Sequence, residues 1–171
     1  VMRKICVVIS ARASYARIKT MLENIEQNEN LSLEIILIGS SILEKYGDSS
    51  ASIQAKFKNV FKIHTSFEPG SASAMAKSTG VSIIELSNYF SNSKPDIVIT
   101  IADRYETIST SIASSYQNIC LVHIQGGEIT GNIDEKVRHA NSKFADYHFV
   151  SNEIAKKRLR QLGEEPSSIF N

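Results

Sequence analysis

Residues 119–139 read ICLVHIQGGEITGNIDEKVRH. Ile119–Ile124 is a run for a buried strand, Gly126 and Gly127 form a turn that carries Glu128, and a polar loop follows. A helix then opens with Asp134 and Glu135 and presents Arg138 and His139 one turn later. Apolar strand, glycine break, then acids and bases at a helix start is how an α/β sheet presents chemistry at the carboxyl ends of its strands. Packing alone does not call for so many ionisable groups in one stretch, so the reactive site is expected here.

The rest of the chain repeats the same unit. Lys4–Ser10 (KICVVIS) is continuously apolar and β-branched, as in a strand buried on both faces. Ser14 to Glu26 has helical periodicity through Ile18, Met21, Leu22 and Ile25, and Leu31–Ile38 is a second strand. Ile42–Tyr46 reads as a short helix and Asp48–Ser52 as a loop, ahead of a third strand at Asn59–His64. The turn Glu68–Ser73 leads into a long helix ending near Tyr89–Phe90, and Asp96–Ile101 is the fourth strand. Arg104–Tyr116 is helical. Beyond residue 124, a helix at Ile133–Phe144, a strand at Tyr147–Val150 and a helix at Glu153–Leu162, closed by Gly163, complete the pattern. Ser168–Asn171 reads as the opening of a further strand, so the stretch is expected to be part of a longer chain. Such alternation predicts a three-layer, Rossmann-like parallel sheet with helices on both faces, residues 1–171 forming a single domain.

Bulk properties exclude several classes. Nineteen basic against 18 acidic residues give no field for nucleic acid or a membrane surface, and no apolar run is long enough to span a bilayer. Cys6 and Cys120 lie inside strand-like runs and are expected as reduced core residues in a soluble cytoplasmic protein. The turn after the first strand, SARASYAR, has none of the glycines of a G-x-G-x-x-G dinucleotide loop, and Lys77–Ser78 lacks the glycine a phosphate-binding P-loop needs. Lys77 and Ser78 are then ordinary helix surface, and Lys156, Lys157, Arg158 and Arg160 the solvated face of the last helix. No HxH or CxxC spacing supports a metal. Neither cofactor nor metal is expected.

What remains are cations and carboxylates. Arg12, just past the first strand, can grip phosphate bidentately or stand free in solvent. Asp103 follows the fourth strand in TIADRYE, where it could equally be an N-cap with Glu106 as its capping-box partner. Asn132 and Glu135 repeat that spacing. Asp134 and Arg138 are an i, i+4 pair flanking an apolar stripe of Ile133, Val137, Ala140 and Phe144. Glu128 is neither cap nor stripe. His123 reads as a buried, hydrogen-bonded histidine, and His139 could be either structural or functional. Several carboxylates in one crevice repel, raising the proton affinity of at least one and suiting it to acid/base work. The residues by themselves reach an α/β enzyme domain acting on a phosphorylated or nucleotide-linked small molecule.

The strings KICVVISARASY, DIVITIADRYE, LVHIQGGEITGNIDEKVRHANSKFADYHFVSNE and RLRQLGEEPSSIFN resemble the hydrolysing UDP-N-acetylglucosamine 2-epimerases, over essentially the whole chain. That resemblance implies the N-terminal half of a two-domain GT-B fold, a UDP-sugar substrate and, in the full-length protein, a homo-oligomer. It also implies a reaction: removal of the C2 proton, elimination of UDP to a 2-acetamidoglucal, then hydration to the free ManNAc-type epimer. Asp103, Glu128 and Asp134 match the family's catalytic carboxylates, Arg12 its nucleotide-contacting arginine, and Arg138 and His139 line the site as substrate-binding residues. The first turn departs from the family's G-T-R-A-(D/E)-Y-G, with Ser14 at the acidic position, and Ala102-Asp103-Arg104 replaces G-D-R. These changes leave the donor open between UDP-GlcNAc, a UDP-linked 2,4-diacetamido-trideoxy sugar and a GDP-linked relative. A non-hydrolysing 2-epimerase, a glycosyltransferase of the same fold and a non-catalytic binding domain are the other readings.

Overall fold

The continuous apolar runs resolve into strands whose alternate residues are buried on opposite faces of one sheet. The computed structural model describes residues 2–42, 50–65 and 71–171. The sequence readings at 43–49 and 66–70 lie outside them. Seven strands pair in parallel: β1 (Arg3–Ile9), β2 (Leu31–Leu37), β3 (Val60–Lys62), β4 (Ile97–Ile101), β5 (Cys120–Ile124), β6 (Tyr147–Phe149) and β7 (Ile169–Phe170), in the order β3-β2-β1-β4-β5-β6-β7. The helices are α1 (Arg12–Gln27), α2 (Ser50–Gln54), α3 (Ala72–Ser93), α4 (Thr107–Ser115), α5 (Ile133–Phe144) and α6 (Glu153–Gln161). The last strand is the one that SIFN predicts.

Strands β1, β2, β4 and β5 each feed two cores. Ile5, Val7 and Ile9 of β1 with Leu33, Ile35 and Leu37 of β2 meet Ile18, Leu22 and Ile25 of α1. On the other face Cys6 and Val8, Ile36, Val98 and Leu121 pack with Leu86 and Phe90 of α3. The direction of chain growth reverses between β1 and β4, where the crossovers part and leave a crevice at the carboxyl ends.

Several local expectations change. Helix α3 continues to Ser93 and stops where Lys94 turns left-handed, while Ser50–Gln54 is helical rather than looped. Helix α4 starts at Thr107, and its N-cap position, Glu106, has helical backbone and no side-chain cap, so Asp103 and Glu106 form no capping box. Ser78 is buried, not on the surface of α3. The largest revision concerns α5. Ile133 is exposed, and the buried residues are Arg138, Asn141 and Ser142. This helix packs through a polar stripe, because α4 answers it with hydroxyls. Asn141 Nδ2 donates to Thr107 Oγ1 at 2.7 Å and Ser111 Oγ donates to Asn141 Oδ1 at 2.7 Å.

His123 lies in that polar layer, wholly buried, as the sequence reading has it. Its Nε2 is 2.9 Å from the Ala102 carbonyl, an obligate acceptor, so Nε2 carries the hydrogen. Nδ1 then accepts from Ser142 Oγ at 3.1 Å. Burial draws its pKa from 6.5 down to about 4, and burial likewise lowers that of His148.

A histidine kept neutral by folding takes up protons more readily in the unfolded chain. Its contribution is intact above pH 6.5 and is lost as pH falls towards its folded pKa of about 4. From His123 alone we expect urea unfolding to give about 2 kcal/mol less stability at pH 5 than at pH 7.5. An imidazole resonance of His123 that titrates near 6.5 would contradict this.

Candidate active site

Three strand ends deliver the site. After β4 and β5 the ladder runs one residue further, with Ala102 N donating to Ile124 O and Gln125 N donating to Phe149 O, each at 2.8 Å. Both residues then turn left-handed, Ala102 at φ 62° and Gln125 at φ 68°. Non-glycine residues hold such angles only when their surroundings impose them, at about 1–3 kcal/mol each. The imposing contacts are visible. His123 holds the Ala102 carbonyl, and Arg17 of α1 donates to Gln125 Oε1 at 2.6 Å. The sharp turn aims Asp103 into the crevice.

Gly126 and Gly127 are where the β5 loop threads between two packed elements. A Cβ at Gly126 would lie 2.7 Å from Ser142 Oγ, and one at Gly127 only 2.3 Å from the Ala155 carbonyl oxygen of α6. Arg158, expected on a solvated face, instead donates to the Gly127 carbonyl at 3.2 Å. Glu128 emerges with its carboxylate accepting a 2.6 Å hydrogen bond from Ser151 Oγ, which follows β6. The loop closes at α5: Asn132 Oδ1 caps Asp134 N at 3.0 Å, and Glu135 Oε2 accepts from Thr130 N and Gly131 N at 2.7 and 2.6 Å. Those backbone donors hold the Glu135 carboxyl below its ordinary range. Glu135 is thus a capping residue, as its spacing suggests.

Arg138 links the two loops. Its guanidinium is 2% exposed, pairs with Asp103 Oδ2, and donates through its other terminal nitrogen to the Glu128 carbonyl at 2.9 Å. The expected surface pair with Asp134 gives way to this buried one, since α5 turns Arg138 inward. Asp134 remains beside it, and its proton affinity is raised, first by partial burial and next by the charge of Asp103, against the pull of Arg104 and Arg138. Asp103, Asp134 and Arg138 are therefore one electrostatic unit, which Glu128 joins through its backbone. His139 turns to Glu135, Nε2 to Oε1 at 3.8 Å, rather than to the carboxylates. Arg12 begins α1 at the end of the neighbouring strand and is exposed.

Arg104 and Ser151 were not singled out by sequence reasoning. Arg104 pairs with the buried Glu106 carboxylate, Nε to Oε2 at 3.2 Å, and faces the Tyr105 ring at 5.5 Å. The signal for Ser151 was its place, a polar residue directly past a strand that neighbours β5.

Fold and site define a Rossmann-like α/β domain, the N-terminal half of a GT-B architecture, with a cluster of carboxylates around a buried arginine at the carboxyl ends of β4 and β5. The chain belongs to the UDP-N-acetylglucosamine 2-epimerase family, whose model matches residues 23–171. It is 38% identical to a GDP/UDP-N,N'-diacetylbacillosamine 2-epimerase (hydrolyzing) of Campylobacter jejuni, over 99% of this chain and 44% of that protein. It is 36% identical to a UDP-N,N'-diacetylbacillosamine 2-epimerase (hydrolyzing) of Legionella pneumophila, over 98% of this chain and 45% of that protein. The crystal structure of UDP-GlcNAc 2-epimerase from Neisseria meningitidis bound to UDP-GlcNAc superposes with a TM-score of 0.84 at 20% identity, covering 98% of this chain and 45% of that one. The chain thus spans less than half the length of the curated relatives it matches.

Two substitutions test the architecture. Arg138→Met leaves a half-buried Asp103 carboxylate without its buried partner and is expected to cost about 3 kcal/mol in urea unfolding at pH 7.5. Gly127→Ala combines a left-handed φ of 82° with a backbone collision, and about 3 kcal/mol is expected. A loss below about 0.5 kcal/mol in either, within the range of neutral surface changes, would refute the corresponding packing.

Proposed function

We propose that this chain provides the acid/base side of a hydrolysing nucleotide-sugar 2-epimerase, acting in the cytoplasm on a UDP-linked 2-acetamido sugar. Two relatives named for a diacetamido donor, at 38% and 36% identity, favour a UDP-linked 2,4-diacetamido-trideoxy sugar over UDP-GlcNAc. The observation that carries the reading is the coupled set of Asp103, Arg138 and Asp134, with Glu128 on the facing loop.

The reaction needs a proton removed from one face of C2 and another delivered to the opposite face. Glu128, whose carboxylate is held by one hydroxyl, takes up the C2 proton as the C1–O bond to the diphosphate breaks and UDP leaves. The product is a 2-acetamidoglycal. Water then adds at C1 while Asp134, the carboxyl shifted towards holding a proton, protonates C2 from the other side and releases the free epimer; solvent takes up the proton the water sheds and the one held by Glu128, and returns a proton to Asp134. Asp103 is already committed to Arg138. Its fixed charge keeps the proton affinity of Asp134 high, and it orients the loop that Arg138 spans. Arg12 and the uncapped start of α1, where Ala11 gives no side-chain acceptor, offer positive potential to the departing diphosphate. His139 lies one residue beyond Arg138 on α5, at the rim of the cleft.

A second wall for the cleft comes from polypeptide that the longer relatives possess and residues 1–171 do not contain, so this chain alone is expected to be inactive. The test is proton NMR of the longer protein in deuterium oxide with the diacetamido donor. Free epimer deuterated at C2, together with UDP, is the expected result. Glu128→Gln and Asp134→Asn should each lower kcat by about 100-fold or more, and Asp103→Asn should move the alkaline limb of the kcat profile, where Asp134 loses its proton, to lower pH. Activity that survives Glu128→Gln, or product that retains its C2 proton, would reject the assignment.

A further inference from the structure

Arg138 fixes the backbone of Glu128 by donating to its carbonyl at 2.9 Å. Several rotatable bonds still separate that point from the carboxylate, and a base that must reach one hydrogen atom cannot leave them free. The hold on the carboxylate comes from outside the Arg138 cluster, from the residues that open α6. Ser151 Oγ lies 2.6 Å from Glu128 Oε1, and Asn152 Nδ2 lies 3.2 Å from Ser151 Oγ. Asn152 is itself the N-cap of α6, its Oδ1 accepting from Ala155 N at 2.9 Å.

The direction of each bond in this chain is set by chemistry. A backbone N–H only donates, so Asn152 turns its oxygen to α6 and its amide hydrogens to Ser151. With Asn152 donating into the hydroxyl oxygen, the hydroxyl hydrogen goes to Glu128, since an ionised carboxylate only accepts. Each bond polarises the next. Glu153, the neighbouring acid on α6, does not compete for that hydrogen, because its Oε1 accepts from Asn171 Nδ2 at 2.8 Å. Helix α6 is seated on the same loop: its Ala155 carbonyl leaves no room for a Cβ at Gly127, and Arg158 donates to the Gly127 carbonyl. Glu128 Oε2 has no partner among the described residues.

We propose that Ser151 and Asn152 are positioning residues for Glu128, a relay that anchors Oε1 to the N-cap of α6 and leaves Oε2 as the oxygen presented to the C2 proton. The inference rests on the reading of Glu128 as the base, and goes further by assigning which oxygen acts and what holds it. The partner is suited to the task. A neutral hydroxyl orients the carboxylate without setting a cation beside it, whereas Asp103 is held by the guanidinium of Arg138.

The test compares Ser151→Ala, Ser151→Thr and Asn152→Asp with Glu128→Gln in the longer protein, following UDP release from the UDP-linked 2,4-diacetamido-trideoxy sugar. Ser151→Ala is expected to lower kcat by about 10- to 100-fold while KM moves by less than about 2-fold, because substrate still binds to a misaligned base. Ser151→Thr keeps the hydroxyl and is expected to bring kcat back to within about 3-fold of the unchanged protein. Asn152→Asp separates the relay from the helix cap. Aspartate caps as well as asparagine, so the urea midpoint is expected to stay in place. Its second oxygen, however, accepts where the amide donated, which draws the Ser151 hydrogen away from Glu128, and kcat is expected to fall as in Ser151→Ala. Activity of Ser151→Ala and Asn152→Asp within about 2-fold of the unchanged protein, with Glu128→Gln inactive, would overturn the relay and leave Glu128 as the base. A loss confined to KM, or one that threonine does not restore, would also overturn it, making Ser151 a substrate contact or a packing residue. An active Glu128→Gln would remove the base assignment and the relay with it.

Discussion

A guanidinium cannot shed its charge, so one withdrawn from water must find every partner inside the protein. Arg138 is that group here, and its needs organise the carboxyl edge of the sheet. It takes a carboxylate from the loop after β4 and a carbonyl from the loop after β5. Two loops far apart in sequence are thereby fixed to one planar fork, and the acids they carry inherit a set spacing. Lysine could not do the same, having a point charge in place of a fork. The same guanidinium opposes the repulsion between Asp103 and Asp134, so the cluster can hold two carboxylates in one crevice.

The polar layer behind Arg138 follows from this need. A helix carrying a buried arginine cannot pack by an apolar stripe, and α5 uses Asn141 and Ser142 instead, met by Thr107 and Ser111 of α4 and by His123 of β5. Small hydroxyls let the two helices approach closely, and each hydrogen bond has a direction that hydrophobic contact lacks. This makes the rotation of α5, and hence the aim of Arg138, a property of the hydrogen-bond network rather than of volume filling.

Much of the architecture was legible because its determinants are local or periodic. The β-branched runs at Ile5–Ile9 and Ile97–Ile101 could bury both faces only in a parallel sheet, and the turn Ser10–Ala11 lacked the glycines of a dinucleotide site. The Gly-Gly-Glu turn pointed to the candidate site because no cap or apolar stripe accounted for its acid. The failures were of another kind. The i, i+4 spacing of Asp134 and Arg138 suggests a surface pair, and the apolar residues of α5 suggest an amphipathic stripe. Both were overridden by Asp103, 35 residues upstream. Likewise Asp103 has the spacing of a cap but points into the crevice, because the left-handed Ala102 delays α4 until Thr107. Interactions across strands leave no periodic trace in a single sequence.

The left-handed turns after β4 and β5 also bear on how this domain could be altered. Glycine at position 102 would adopt that backbone without strain, and by that measure the domain would fold more readily. The same freedom would unfasten the direction in which Asp103 leaves the strand, since an alanine confined to a narrow well is a stiffer pivot than a residue content in many. Thermal robustness and aim are therefore set against each other at a single methyl group, far smaller than any side chain that handles a proton.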